Sequence, residues 1–340
     1  MPTPLSSLKL PARALPAAPP SSEAVLLWRV AQAGSMVALA ALVIGLVARP
    51  DVALDLLWNG AVPLLPAVFL LSPPIWRNIC PLATLNMAAS GWGDRNTRRK
   101  RRPSDLRTWG GAGIAVLVFL VPARHFLFNT NGPALAGAII AVALLSLVLG
   151  LRFANKSGFC NAICPVLPVE RLYGQSPMLR VANPRCLPCV TCSGRGCMDR
   201  SPESALEEAM DYPRTGAHWL RSPFGSFAVA FPGFVFGYFQ ATDVPMAQAG
   251  TVYGTVAIWA GASWLVGAGL TVLGVPRRLL LRGAAALAVG AYYWFAAASV
   301  REAWGLGSGA ELGMRLVTGA LIVTWFAQAS ARDRRVGVGG

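Results

Sequence analysis

Apolar stretches of about 20 residues constrain the fold of this chain more than any other feature. They lie at 27–48, 53–72, 109–128, 133–152, 223–241, 252–273, 280–299 and 312–330. A helix rises about 1.5 Å per residue and the hydrocarbon core of a bilayer is about 30 Å thick, so about 20 apolar residues can cross it. Only 13% of the 340 residues are charged, against about 25% in a soluble domain. The pattern predicts an all-α polytopic membrane protein with about eight transmembrane helices.

The distribution of basic residues predicts an orientation. The net charge is +15, and cytoplasmic loops of membrane proteins carry the excess of Lys and Arg. If the N-terminus is cytoplasmic and the spans alternate, all but four of the 30 basic residues lie on the cytoplasmic side. The exceptions are Arg49, Arg124, Arg301 and Arg315. We therefore expect a multi-pass membrane protein with both termini cytoplasmic and the lipid bilayer as its first partner.

Nucleic-acid binding is an alternative explanation for the basic run at residues 98–102. Membrane orientation accounts for the same residues, so no nucleic-acid partner is expected.

The chain divides into membrane and non-membrane parts. We predict a disordered, Pro/Ala/Ser-rich arm at 1–24, a four-helix membrane half at 25–152, a cytoplasmic Cys-rich loop at 153–222, a second four-helix half at 223–331 and a tail at 332–340. Within the loop, Ser201-Pro202-Glu203 predicts the start of a helix that runs to about Met210, since Ser suits the N-cap and Pro the first helical position.

Six of the seven cysteines fall between residues 160 and 197. They read Cys160-x3-Cys164-Pro165 and Cys186-x2-Cys189-x2-Cys192-x4-Cys197, and the seventh forms Cys80-Pro81. Thiolates two residues apart can ligate one iron–sulfur cube from a single tight loop. Zinc sites instead use separate CxxC pairs, which fits the overlapping run poorly. Disulfides are not expected on the reducing cytoplasmic side. All seven cysteines are candidate ligands.

The front half contains a short repeated motif. Trp76-Arg-Asn-Ile-Cys80-Pro81 follows the second predicted span, and Cys160-Asn-Ala-Ile-Cys164-Pro165 follows the fourth. Two helix pairs that each end in an Ile-Cys-Pro turn suggest a duplicated unit. Trp76 stands where the first copy would carry its leading cysteine.

The number of thiols bounds the number of clusters. Two complete [4Fe-4S] cubes need about eight thiolates, and the chain has seven cysteines. We favour two sites over one, with one of them incomplete: a three-iron cluster, or a cube with a non-cysteine ligand. One division gives Cys164, Cys186, Cys189 and Cys192 to one site, and Cys80, Cys160 and Cys197 to the other. The x4 spacing before Cys197, and Met198 in place of a proline after it, depart from the ferredoxin pattern.

With these motifs, residues 53–200 resemble the membrane-bound ferredoxin-type proteins of the NosR/NapH kind. The resemblance is carried by Cys160, Cys164 and Pro165, by the half-preserved Trp76-x3-Cys80-Pro81, and by Cys186, Cys189, Cys192 and Cys197. It implies a protein of the bacterial inner membrane, with [4Fe-4S] clusters that pass electrons between a quinone pool or cytoplasmic donor and a respiratory or photosynthetic-type redox protein. Some relatives serve the maturation or regulation of a metalloenzyme.

We therefore expect an electron carrier rather than a catalyst by itself. The sequence contains no nucleophile–base pair, phosphate-binding glycine loop or paired catalytic carboxylates. The alternative is a redox sensor or an assembly factor for a membrane metalloenzyme. A transporter is disfavoured because ionisable residues are not found near the centre of a predicted span.

Overall fold

The computed structural model describes residues 21–91, 103–153, 155–179, 181, 198–199, 202–210 and 216–335. This part of the chain is all-helical, with 85% helix and no strands. Cys186, Cys189, Cys192 and Cys197 lie outside the described residues, as do the basic run at 98–102 and most of the predicted N-terminal arm and C-terminal tail.

Thirteen α-helices lie within the described residues. In the front half they are α1 (Ser22–Ala48), α2 (Pro50–Asp55), α3 (Val62–Leu71), α4 (Pro73–Ile79), α5 (Pro81–Gly91), α6 (Pro103–Leu120) and α7 (Gly132–Arg152). They continue as α8 (Leu167–Tyr173), α9 (Pro202–Met210), α10 (Pro223–Gln240), α11 (Ala249–Val272), α12 (Arg277–Ala303) and α13 (Ser308–Arg335). The helix predicted from Pro202 to Met210 is confirmed as α9.

Six helical segments are long and apolar enough to cross a membrane. They are Ser22–Ala48, Pro50–Leu71, Gly132–Arg152, Met246–Val272, Arg277–Ala303 and Ser308–Arg332. Large apolar side chains such as Val37, Leu265 and Val323 are about two-thirds exposed on them, as lipid-facing residues are. This confirms an α-helical polytopic membrane protein. Helices α6 and α10 occupy the other two predicted spans without being among the six, so the total of eight stays a prediction.

The proline-containing span is stabilised by side chains from the back half. A π-helical turn at Leu56–Ala61 joins α2 to α3. The Tyr293 hydroxyl donates to the Pro63 carbonyl at 2.7 Å and accepts from the Ala67 amide at 3.0 Å, so it stands between two groups that an ordinary helix would join directly. The Trp304 indole donates to the Asn59 carbonyl at 3.0 Å, which Pro63 cannot do for lack of an N–H. Neighbouring helices thus supply the hydrogen bonds that the prolines remove.

The back half is built around α10, whose glycines allow close helix packing. A β-carbon added at Gly233 would overlap the Trp259 carbonyl oxygen on α11, and one at Gly267 of α11 would lie 2.7 Å from Val229 of α10. Small residues at such crossings let two backbones approach each other in a membrane. The buried face of α10 also carries Phe227, Phe231 and Phe234.

The contacts separate the molecule into two ends. At the end that carries the described cysteines, Gln175 bonds to Leu281 at the start of α12, and Arg332 near the end of α13 bonds to the Pro177 carbonyl. At the opposite end, Trp58 on the π-helical turn bonds to the Phe128 carbonyl. Three of the four exceptional basic residues make contacts at this opposite end: Arg124 lies over Trp58, and Arg301 and Arg315 both pair with Glu311. Three of the four basic residues that the sequence set apart therefore lie at the end opposite the described cysteines.

A polar cluster at the opposite end joins the front half to the back half. His125 has its Nδ1 at 2.6 Å from Asp243 Oδ1 and its Nε2 at 3.0 Å from the Tyr238 carbonyl. Asn129 donates to the second Asp243 oxygen at 2.7 Å, and Val244 donates its amide to the His125 carbonyl.

We predict that Asp243→Ala lowers the free energy of unfolding by about 0.5–1.5 kcal/mol, because two side-chain hydrogen bonds lose their acceptor. Glu302→Ala is the control, since Glu302 is acidic, exposed and on the same end of the molecule. Thermal unfolding in detergent measures both. Equal midpoints for the two variants would show that Asp243 does not join the halves.

Candidate functional site

The two Ile-Cys-Pro turns have the same backbone conformation. Cys80 has φ −55° and ψ 123°, and Cys164 has φ −56° and ψ 122°. The following proline explains this in part, because it excludes the α region for the preceding residue. Each cysteine also ends a helical segment, with its amide bonded to Trp76 in the first turn and to Phe159 in the second. The repeated motif found in the sequence therefore has the same local backbone structure in both copies.

The three described cysteines lie in one apolar cluster. Cys160 is buried, Cys80 and Cys164 are partly buried, and none forms a disulfide. They pack with a group of apolar side chains on α5, α7 and the π-helical turn Phe159–Ile163, namely Ala83, Leu149, Phe153 and Phe159. Residues from two distant parts of the sequence thus bring three thiols to one place.

This cluster lies between the helices rather than beyond their ends. The Ser146 hydroxyl on α7 donates to the Leu82 carbonyl at 2.8 Å, and the Ser146 backbone carbonyl accepts from the Asn86 side-chain amide at 2.8 Å. Ser146 is about 9 Å from the last residue of α7, at about 1.5 Å per residue. On the other side, a β-carbon added at Gly113 of α6 would lie 3.0 Å from the Cys164 carbonyl oxygen. The turns are therefore enclosed by α6 and α7.

A buried ionic network lies next to the thiols. Arg77 donates to Glu170 at 2.8 Å, to Asp199 at 3.1 Å and to the Asn161 side-chain oxygen at 2.6 Å. Lys156 donates to the Arg77 carbonyl at 3.0 Å and to Asp199 at 3.2 Å. None of the five residues is more than 8% exposed. Two cations and two anions balance one another, which is how buried charges are tolerated.

This network fixes the segments that carry the cysteines. Arg77 belongs to α4, the helix that ends just before Cys80. Asn161 directly follows Cys160 in the sequence. Glu170 belongs to α8, which follows Cys164. Asp199 and Met198 directly follow Cys197 in the sequence, and the buried Met198 packs in a cluster that includes Cys164. The network therefore holds four separate segments around the thiols.

Sequence reasoning missed these buried charges. It looked for buried ionisable residues only within the predicted spans, and all five members of the network lie outside those spans. Arg77 is part of the first Ile-Cys-Pro motif, which was the one available signal. Its partners Glu170 and Asp199 are 93 and 122 residues away, so no local pattern pairs them.

The surroundings hold the metal-free thiols in their protonated form. Burial raises the pKa of Cys80 to about 11 and that of Cys160 to about 12, and it raises the pKa of Cys164 well above its usual range. Arg77 and Lys156 act in the opposite direction on Cys160, because positive charge stabilises a thiolate. Any metal that binds here must therefore displace protons.

Of the seven predicted ligands, the structure brings together Cys80, Cys160 and Cys164. Among the described residues, no group of three or more His, Cys, Asp or Glu side chains is arranged to hold a single metal ion. Cys186, Cys189, Cys192 and Cys197 lie outside that part of the chain, so their proximity to the three thiols stays a prediction. Trp76, at the start of the first Ile-Cys-Pro motif, packs edge-on against Phe69 with ring centroids 6.4 Å apart.

We predict that Arg77→Gln lowers the free energy of unfolding by about 3–5 kcal/mol, because two buried carboxylates lose a cation. Arg278→Gln is the control: its ion pair with Glu207 spans 3.7 Å, with side chains 43% and 39% exposed. Such a pair contributes about 0–1 kcal/mol. Thermal unfolding in detergent compares the two variants, and a loss for Arg77→Gln no larger than for Arg278→Gln would contradict a structural role of the network.

Comparison with known proteins gave no relative for this chain. No protein-family model matches it, and neither the search of curated proteins nor that of solved structures found a match.

Proposed function

We propose that this chain is a membrane-anchored iron–sulfur electron-transfer protein. The single observation that carries the proposal is the meeting of Cys80, Cys160 and Cys164 in one buried cluster, reached from two Cys-Pro turns of the same conformation. Thiols are the usual ligands of iron–sulfur clusters. An electron carrier also needs a cofactor held close to its membrane or protein partner, and these turns are enclosed by α6 and α7.

The residues around the thiols suit such a cofactor. A cluster ligated by thiolates is a net anion, and the cations of Arg77 and Lys156 act on Cys160. The side-chain amide nitrogens of Asn78 and Asn161 are buried and have no hydrogen-bond partner among the described residues, so donors are available for sulfur acceptors. When bound, a [4Fe-4S] cluster would accept and release one electron. The chain itself would hold the thiolates and exclude water.

The grouping of the thiols favours a particular division of ligands. Cys80, Cys160 and Cys164 share one cluster of side chains, so we assign them to one centre with three thiolates. Cys186, Cys189, Cys192 and Cys197 would then form a second, four-thiolate centre with ferredoxin-like spacing. This replaces the division drawn from the sequence, in which Cys164 joined the first three cysteines of the loop.

The proposed location is the bacterial inner membrane, with eight spans that include α6 and α10. The cysteine end, both termini and the loop that carries the remaining cysteines would face the cytoplasm. The separation of basic residues between the two ends supports this orientation. Electrons would pass between a quinone or cytoplasmic donor and another redox protein, as the resemblance to proteins of the NosR/NapH kind implies.

A redox sensor or an assembly factor for a membrane metalloenzyme is the second candidate. Three thiolates would leave one corner of a cube without a cysteine ligand, and an open iron is labile and reactive. The two candidates differ in turnover. A carrier is reduced by quinol or reduced ferredoxin on a respiratory timescale, whereas loss of an assembly factor lowers the cofactor content of its partner.

We predict that protein purified without oxygen contains about seven or eight irons per chain for two centres, or about four for one. Cys160→Ser removes a ligand of the three-thiol centre and should lower the iron content and weaken one electron paramagnetic resonance (EPR) signal of the dithionite-reduced protein. Ser157→Ala is the matched control, because Ser157 is buried nearby and is not a predicted ligand. A fully iron-supplied wild type without iron, sulfide or EPR signal would exclude the proposed function.

We predict that reporter proteins fused at different positions will show the two ends of the molecule on opposite sides of the membrane. A fluorescent protein that matures only in the cytoplasm should be bright after residue 335. Alkaline phosphatase, which is active only in the periplasm, should be active when fused in the turn at 126–131 or at 241–245. The reverse pattern would show that the cysteine end faces the periplasm.

A further inference from the structure

Two buried asparagines, each within two residues of a cysteine in the sequence, have a side-chain donor without a partner among the described residues. Asn78 and Asn161 are both 4% exposed, and the side-chain nitrogen of each has no hydrogen-bond partner among the described residues. Leaving a buried donor unsatisfied costs about 1–3 kcal/mol. Most buried polar groups in native proteins have partners, so an unsatisfied one calls for an explanation.

The orientation of the Asn161 amide is set by its neighbour. Arg77 donates to the Asn161 side-chain oxygen at 2.6 Å, and a guanidinium can donate but not accept. The oxygen must therefore face Arg77, and the NH₂ group must face elsewhere. Because Glu170 and Asp199 hold the same guanidinium at 2.8 and 3.1 Å, the amide cannot flip without breaking the network.

The positions of both asparagines in the chain tie them to the thiols. Asn161 directly follows Cys160, in the π-helical turn that ends at Cys164, and Asn78 precedes Cys80 by two residues, in the last turn of α4. The Asn78 carbonyl accepts from the Gln32 side chain at 2.8 Å, which fixes the backbone of that turn against α1. Each of the two turns thus carries one buried amide nitrogen without a partner among the described residues, within two residues of a cysteine in the sequence.

Resting on the proposed function, we propose that Asn78 and Asn161 are positioning residues that donate hydrogen bonds to sulfur atoms of the three-thiol centre. Hydrogen bonds to cluster or thiolate sulfur stabilise the more negative, reduced state, and they raise the reduction potential. The two asparagines thereby set the potential of the centre held by Cys80, Cys160 and Cys164, without themselves ligating iron.

The test is a redox titration followed by EPR on the full-length, cluster-loaded protein. We compare Asn161→Ala and Asn78→Ala with Asn86→Ala as the matched control. Asn86 is also fully buried, but its amide nitrogen already donates to Ser146, and its unpaired atom is the oxygen. Each of the first two variants should shift the midpoint potential downward by about 28 mV, which corresponds to a threefold change in the ratio of oxidised to reduced cluster for a one-electron couple. The control should leave the potential unchanged.

A second readout reports the contact itself. Protein labelled with ¹⁵N on asparagine should show a nitrogen coupling in the pulsed EPR spectrum of the reduced cluster, and this coupling should be lost in the double variant Asn78→Ala/Asn161→Ala. If the wild type carries a cluster but neither variant changes the potential or the coupling, the inference is wrong and the proposed function stands. A wild type that carries no cluster overturns both.

Discussion

The cysteine end of the molecule depends on the hydrogen bonds and ion pairs of one buried guanidinium, that of Arg77. Arg77 is 4% exposed and bonds to two carboxylates and an amide oxygen. Burying an ion costs several kcal/mol, and the cost is offset only when each charge finds a partner at good geometry. The partners come from α8, from the residue after Cys160 and from the residues after Cys197, so the charges can be satisfied only if these segments meet. Their meeting is what brings Cys80, Cys160 and Cys164 together.

In the membrane-spanning part of the fold, too, buried polar groups need partners, and there these groups belong to the backbone. Lipid offers no hydrogen bonds, so the carbonyls freed by proline must be satisfied by protein. Tyr293 and Trp304 do this for the span that contains Pro63, and both come from α12 and the turn that follows it. The polar contacts that satisfy the front half are therefore also the contacts that hold the back half against it.

The placement of the thiols has a chemical consequence. Enclosed by α6 and α7 and raised in pKa by burial, they are poor nucleophiles in the metal-free protein, because the thiolate is the reactive form. Burial that protects a thiol from oxidation also strengthens every charge and hydrogen bond near it, since the local dielectric is low. Arg77, Lys156 and the two asparagine amides would therefore act strongly on any anionic cofactor held there.

Much of the architecture could be predicted from the sequence because apolar length and charge placement are local properties. The six helices that are long and apolar enough to cross a membrane, helix α9, the repeated Ile-Cys-Pro turns and the placement of Arg124, Arg301 and Arg315 away from the cysteine end all follow from runs of adjacent residues. Only the tertiary structure decided which residues far apart in the sequence contact each other. Arg77 with Glu170 and Asp199, Tyr293 with the carbonyl of Pro63, and Cys80 with Cys160 and Cys164 join residues far apart in the chain. A buried polar group takes whichever partner the packing brings within reach, and no local pattern encodes that partner.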